Sequence, residues 1–159
     1  METISKYFGL HTVKNMASIH FKIVKTGKFL FRELIFDIEQ EQEEILSYLT
    51  ESLLVDEIEI ISYRLSKVIC CFSGVDFCYV VNNHIDEYWI DGFSFFVNYE
   101  LKNKPALELI FVAGSFATEE SVMNYLKLKI SEMTKCLVKQ QSDCWIQRKV
   151  PRLFNLMKE

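Results

Sequence analysis

The segment FSFFVNYELKNKPALELIFVA, residues 93–113, determines the class of fold that the sequence predicts. Apolar and polar residues alternate with period two from Phe93 to Leu101 and again from Leu107 to Ala113, the pattern of strands with one buried face. Residues 102–105 between them contain Asn and Pro, which are typical of a turn. Because a connection this short joins antiparallel neighbours, the segment predicts an antiparallel hairpin.

Further strands are predicted before this hairpin. Residues 18–24 and 29–36 are rich in Ile, Val, Phe and Leu, and Gly27 in the turn between them is suited to a positive φ. Period-two alternation continues over residues 57–81 and changes phase between Ile60 and Ile61, which predicts a β-bulge or a bend. The sequence therefore predicts an antiparallel meander of about five to seven strands.

Two helices are also predicted. The first spans about residues 37–54, with Asp37 as N-cap and a stripe of apolar residues at Ile38, Ile45, Leu46, Leu49 and Leu53. The second begins at Thr118 and continues for about five turns along Val122, Leu126, Ile130, Met133 and Leu137. The predicted fold is α+β, in the order β-β-α-β(n)-α, with both helices packed on one face of the sheet.

The chain has the length and composition of a single domain, residues 1–159. It holds only five Gly and two Pro, and neither an internal repeat nor a change in composition divides it. Residues 142–159 are predicted as a basic-hydrophobic tail, docked or partly flexible. The domain assignment is therefore one globular unit with a C-terminal tail.

Cysteine usage indicates a reducing compartment. The five cysteines are odd in number and contain no C-x-x-C motif. We interpret them as free thiols and predict a cytoplasmic location. No apolar run approaches the ~18 residues of a membrane-spanning helix, so no membrane partner is predicted.

No catalytic or metal-binding motif is predicted. His84, Asp86 and Glu87 form the densest group of catalytic residue types, but they follow Asn82-Asn83, where a turn places polar residues in any case. Cys70 and Cys71 lie in an apolar run, where burial raises a thiol pKa rather than lowering it. We therefore predict no catalytic residue, no metal and no cofactor. An enzyme whose thiol or carboxylate meets its base only in space is a third, less specific hypothesis.

Charge is strongly segregated along the chain. Residues 1–32 carry a net +5, and residues 33–60 carry −10 with no Lys or Arg. Either the basic ends fold against the acidic middle, or an acidic surface remains free to steer a basic partner. The polar side of the first helix supplies the predicted partner-binding residues, which are Glu39, Glu41, Gln42, Glu43, Glu44 and Glu51. Nucleic acid is not predicted as a partner, because the net charge is −4.

These observations favour a non-catalytic module that binds a basic protein. Toxin-neutralising immunity proteins (toxin inhibitors), secretion chaperones and small adaptors are proteins of this kind. The alternative comes from the order of the elements over residues 28–140, which resembles the helix-grip fold, a sheet that wraps a long C-terminal helix. That resemblance implies a carrier of an apolar small ligand, held in a cavity lined by the aromatic residues of 72–101.

Overall fold

Six strands and two helices form the part of the chain that the structure describes. The computed structural model describes residues 7–9, 12–37, 40–71 and 83–148. The elements in chain order are β1 (Val13–Ile23), β2 (Lys28–Phe36), α1 (Gln42–Leu53), β3 (Ile58–Cys70), a 3-10 turn (Ile85–Glu87), β4 (Trp89–Leu101), β5 (Leu107–Gly114), α2 (Glu119–Lys129) and β6 (Met133–Gln147). The predicted α+β class is confirmed. The strand predicted at residues 75–81 lies outside the described residues.

The strands close into a barrel in the order β1-β2-β6-β4-β5-β3. β1 pairs antiparallel with both β2 and β3, and β4 pairs antiparallel with both β5 and β6. Two parallel seams join these halves, and each seam contains only two residue pairs: Leu34–Trp145 and Ile35–Ile146, and Ile69–Phe111 and Cys70–Val112. The sheet is mixed, so the purely antiparallel meander is wrong. The reason is that α1 carries the chain from β2 to the far side of β1, and α2 carries it from β5 to the far side of β4.

The two halves repeat the same order of elements. The first lobe contains β1, β2, α1 and β3, and the second lobe contains β4, β5, α2 and β6. In each lobe the first strand is central and the second and third strands flank it. The topology therefore repeats as ββαβ, although the sequence showed no repeat. Backbone pairing and side-chain polarity can match while residue identities differ.

Alternation along each strand separates an interior face from an outer face. The interior is filled by Met16, Ile35, Val68, Cys70, Val112, Cys144 and Ile146. On the outer face α1 packs through Ile45 and Leu49 on the first lobe, and α2 packs through Val122 and Leu126 on the second. Both helices thus lie outside the barrel.

Local features of the first lobe agree with the sequence. Gly27 has φ 70° in the turn between β1 and β2. The β1–β3 register shifts between His20 and Phe21, so that His20 pairs with Ser62 and Phe21 with Ile60. Ile61 is left over at that point, and the predicted β-bulge is confirmed.

The N-terminus of α1 differs from the prediction. The helix begins at Gln42, and its N-cap residue is Glu41, whose side chain makes no capping hydrogen bond. Asp37 is not the N-cap, because its carboxylate pairs with Lys14 at 2.6 Å between Nζ and Oδ1. Ile38 and Glu39 lie outside the described residues. An ion pair with the neighbouring strand β1 therefore replaces the expected cap.

The second helix is correctly predicted at its start and wrong at its end. Thr118 and Ser121 form a reciprocal capping box: the Ser121 N–H donates to Thr118 Oγ1 and the Thr118 N–H donates to Ser121 Oγ. The helix stops at Lys129, however, and residues 133–147 form β6. Leu137, expected on the buried stripe, is 74% exposed. Pairing with β4 along the length of β6 outweighs the helical spacing of the apolar residues.

The strand β6 also changes two other expectations. Residues 142–147, predicted as the start of a tail, are the end of β6, and residues 149–159 lie outside the described residues. The long helix implied by the helix-grip resemblance is a short helix followed by a barrel strand. The helix-grip layout is therefore wrong for the described part of the chain.

Leu126 and Leu128 provide a matched pair for testing the packing of α2. Leu126 is fully buried, whereas Leu128 is 85% exposed. We expect Leu126→Ala to lower the free energy of unfolding by roughly 2–5 kcal/mol because it leaves a cavity. Leu128→Ala should change it by less than about 0.5 kcal/mol. Denaturant unfolding measures both, and equal losses would contradict the burial of Leu126.

Candidate functional site

The polar side of α1 forms an exposed surface, which we call the acidic face. It comprises Glu41, Gln42, Glu43 and Glu44 at the start of the helix and Glu51 near its end. Burial of Ile45 and Leu49 against the first lobe fixes which side of the helix faces water. Glu43 and Glu44 lie in the first turn, where the helix dipole favours negative charge. The fold thus presents the predicted residues together, with Glu39 outside the described part.

Few of the described acids in residues 33–60 form an ion pair. Lys14–Asp37 joins the basic first segment to the acidic middle segment, and among the described residues no ion pair involves Glu41, Glu43 or Glu44. Their carboxylates are in water. The described part of the structure therefore shows little of the neutralisation by basic segments that one interpretation of the charge pattern expects.

Glu51 differs from the rest of the acidic face because it holds a neighbouring segment. Its Oε1 accepts a hydrogen bond from the Tyr88 hydroxyl at 3.2 Å, and its backbone carbonyl accepts one from His84 Nε2 at 3.1 Å. Tyr48 adds a hydrogen bond from its hydroxyl to the Tyr88 carbonyl, and burial raises its pKa above the ordinary range. Glu51 therefore also fixes the end of α1 against the start of β4.

The group His84, Asp86 and Glu87 belongs to the same contact. His84 Nδ1 lies 3.6 Å from Glu87 Oε2, and the Asp86 carbonyl accepts a hydrogen bond from Arg148 Nε at 2.6 Å. Within the described residues, no three His, Cys, Asp or Glu side chains are grouped so as to hold a metal ion. These residues connect the 3-10 turn to α1 and to the end of β6.

Three of the four described thiols lie in surroundings that oppose the activation of a catalytic cysteine. Burial raises the pKa of Cys71, Cys136 and Cys144, all of which are free thiols. A hydrogen bond with Tyr125 lowers the pKa of Cys71 by less than burial raises it, and burial with the Cys71 contact raises the Tyr125 pKa to about 12. A nucleophilic thiol needs a lowered pKa. Cys78 lies outside the described residues.

A group of polar side chains also lies inside the barrel, and the sequence did not identify it as a candidate site. Glu33 of β2 is only 7% exposed, and three serine hydroxyls surround its carboxylate. Ser94 Oγ donates to Oε1 at 3.1 Å, Ser142 Oγ also contacts Oε1, and Ser18 Oγ donates to Oε2 at 3.5 Å. We call Ser18, Glu33, Ser94 and Ser142 the interior cluster. It links the two lobes, since Ser18 and Glu33 come from the first and the other two from the second.

One signal in the sequence points to Glu33. In the strand FRELIF, residues 31–36, it shares a face with Phe31 and Ile35. A charged residue between apolar neighbours on one face of a strand indicates a buried polar contact or an edge. Ser18 lies 15 residues away, opposite Glu33 in the β1–β2 hairpin, but Ser94 and Ser142 lie 61 and 109 residues away, so no local pattern identifies those two.

Comparison with protein-family models, with curated proteins and with solved structures found no match. Among the described residues, neither helix is long and apolar enough to cross a membrane. Two groups of described residues are therefore the candidate sites, the acidic face and the interior cluster.

The thiols give a test of burial and of its pH dependence. At pH 8 we expect Cys71, Cys136 and Cys144 to react with an alkylating reagent far more slowly in the native protein than in denaturant, because burial disfavours the thiolate. A pKa raised above the ordinary 9.0 in the folded state also means that stability is lost as the pH rises beyond that value. Peptide mass spectrometry measures the reaction, and equal rates in both states would contradict burial.

The interior cluster predicts unequal effects for two serines. Ser94→Ala should lower the free energy of unfolding by roughly 1–3 kcal/mol, because it removes a fully buried hydroxyl that donates a hydrogen bond to the Glu33 carboxylate. Ser62→Ala is the control, since Ser62 is exposed and its hydroxyl lies 3.3 Å from His20 Nδ1, away from the interior cluster. Its cost should stay within about 0.5 kcal/mol. Chemical denaturation of both variants measures the difference, and a neutral Ser94→Ala would mean that the cluster does not stabilise the barrel.

Proposed function

We propose that this chain is a non-catalytic protein-binding module that engages a basic protein through the acidic face of α1. One observation carries the proposal: Glu41, Glu43 and Glu44 are exposed together and form no ion pair among the described residues. Helix capping does not require all of them, because one or two acids in the first turn satisfy the dipole. Their charge is therefore available to a partner.

The geometry suits recognition by charge. The buried stripe of α1 packs against the first lobe, so the backbone positions that carry these carboxylates are fixed relative to one another. Like charges on one face raise the local concentration of a basic partner and speed its association. Leu54, at the C-terminal end of the same helix, is 73% exposed and adds apolar surface. Such apolar contacts contribute affinity where charges mainly contribute rate.

Toxin-neutralising immunity proteins, secretion chaperones and small adaptors are the classes that this proposal favours. The free thiols Cys71, Cys136 and Cys144 support a cytoplasmic location. The non-catalytic assignment is supported by the use of His84 and Glu87 in structural contacts and by the raised thiol pKa values. The carrier hypothesis gains no support, since side chains of the described strands fill the barrel interior at the seams.

Charge reversal on the acidic face tests the proposal. The chain is immobilised, basic proteins captured from the source organism are identified, and association with the purified partner is measured at several salt concentrations. For Glu43→Lys/Glu44→Lys we expect association at low salt to slow at least about tenfold and its salt dependence to weaken. The fold should persist, because both side chains are exposed.

Glu120→Lys is the matched control. Glu120 is also an exposed acid in the first turn of a helix, so its reversal costs a similar roughly 0.3–1 kcal/mol of dipole stabilisation. It lies on α2, outside the acidic face, and should leave association unchanged. A partner that binds the double variant with an unaltered rate and salt slope would refute the proposed function.

A further inference from the structure

We propose that the interior cluster is a binding site for one monovalent cation of the size of sodium. The ligands are the Glu33 carboxylate and the hydroxyl oxygens of Ser18, Ser94 and Ser142. This site is separate from the acidic face and does not depend on the proposed function. Its consequence is that closure of the barrel is coupled to the sodium concentration.

The carboxylate of Glu33 is buried without an opposite charge beside it. Glu33 is 7% exposed, and no described Lys, Arg or His forms an ion pair with it. Buried charges in proteins are paired with an opposite charge or coordinate a metal, because desolvation is costly. Arg64 shares the interior-face row of Ser18 but is exposed, and Lys14 pairs with Asp37. Three neutral hydroxyls therefore surround a carboxylate whose charge lacks a counter-ion.

The donor atoms of the interior cluster are of the type that binds hard cations. Every group in the cluster presents oxygen: two carboxylate oxygens, three hydroxyls and the Ser142 carbonyl, which Ser94 Oγ approaches at 3.4 Å. Oxygen is the ligand that hard cations prefer. A hydroxyl can turn its hydrogen away and present a lone pair, so the same serines serve the carboxylate alone or an ion.

The distances between the oxygen atoms of the interior cluster can be compared with those around a bound cation. The Oε1–Ser94, Oε2–Ser18 and Ser94–Ser142 oxygen pairs are 3.1, 3.5 and 3.1 Å apart. Octahedral ligands are separated by about 1.4 times the metal–oxygen distance, so the roughly 2.3–2.6 Å of Ca²⁺, shared by the similarly sized sodium ion, gives about 3.2–3.6 Å. The 3.5 Å pair lies within this range, and the two 3.1 Å pairs would have to widen by about 0.1 Å to reach it. The roughly 2.0–2.1 Å of Mg²⁺ gives only about 2.8–3.0 Å. Ser142 Oγ is the one ligand that must move away from Oε1 to admit the ion.

The single carboxylate of the interior cluster favours an ion with one positive charge. One carboxylate among neutral oxygens is balanced by a single positive charge, whereas a divalent ion would leave a net positive charge inside the barrel. Dedicated Ca²⁺ sites commonly use several carboxylates. Because the ligands come from β1, β2, β4 and β6, the ion would hold the two lobes together beside the short seams.

Thermal unfolding of the full chain in sodium chloride and in choline chloride at equal ionic strength tests the proposal. We expect sodium to raise Tm, by about 3–6 °C for each tenfold increase above its Kd, since only the folded state holds the site. Glu33→Gln should abolish the difference between the two salts, and Ser62→Ala should retain it. Sodium-23 NMR of the wild-type protein provides a reading that needs no variant: its line should broaden on adding protein and narrow on unfolding.

Each result decides the question. Equal Tm values in the two salts together with an unbroadened sodium line would overturn the proposal, as would an undiminished sodium effect in Glu33→Gln. A larger stabilisation by calcium chloride than by sodium chloride at matched ionic strength would overturn the assignment to a monovalent ion. If Glu33→Gln does not fold, Ser94→Ala replaces it, and its sodium response should shift to higher concentration.

Discussion

The contact between the Glu33 carboxylate and serines from both lobes is the interaction on which the barrel depends. Strands within a lobe pair along most of their length, but the lobes share only two residue pairs at each seam. Two isolated parallel pairs are weak connections. The apolar interior and the interior cluster must therefore supply most of the attraction between lobes, and a buried polar network also specifies which arrangement forms.

Close packing between the strands of the second lobe limits side-chain size at Gly92 of β4. A Cβ at Gly92 would lie 2.7 Å from both the Ala113 carbonyl oxygen and Ile146 Cδ1. Glycine at this position lets β4 approach its neighbours inside the barrel, next to Cys144. Because the interior is this tightly filled, the candidate sites among the described residues lie on the outer surface and at the interior cluster.

The sequence predicted what local interactions determine. The hairpin at 93–113, the Gly27 turn, the bulge at Ile61 and the Thr118 capping box each depend on residues close together in the chain. Barrel closure and its parallel seams depend on distant pairs. The end of α2 was missed because the apolar residues from Val122 to Leu137 fit the helical period, whereas the buried Cys136 of β6 is positioned by pairing with β4. The acidic face was identified from periodicity, but the interior cluster required residues 109 positions apart.

The acidic residues of 33–60 differ in their surroundings: some make contacts that stabilise the fold, and others are exposed to water. Counted along the sequence, residues 33–60 are a uniform block of negative charge. In the structure Glu33 is buried among serines, Asp37 pairs with Lys14, and Glu51 holds Tyr88. Each of these three is explained by folding alone. Glu41, Glu43 and Glu44 stay exposed without such a contact, and Glu41 and Glu44 are three residues apart, a spacing at which like charges repel. The helix dipole accounts for part of this charge, and Asp56, Glu57 and Glu59 are exposed as well but lie beyond α1. The position of Glu41, Glu43 and Glu44 together at the start of one helix is therefore the reason to propose these three, rather than the whole block, as the site for a basic partner.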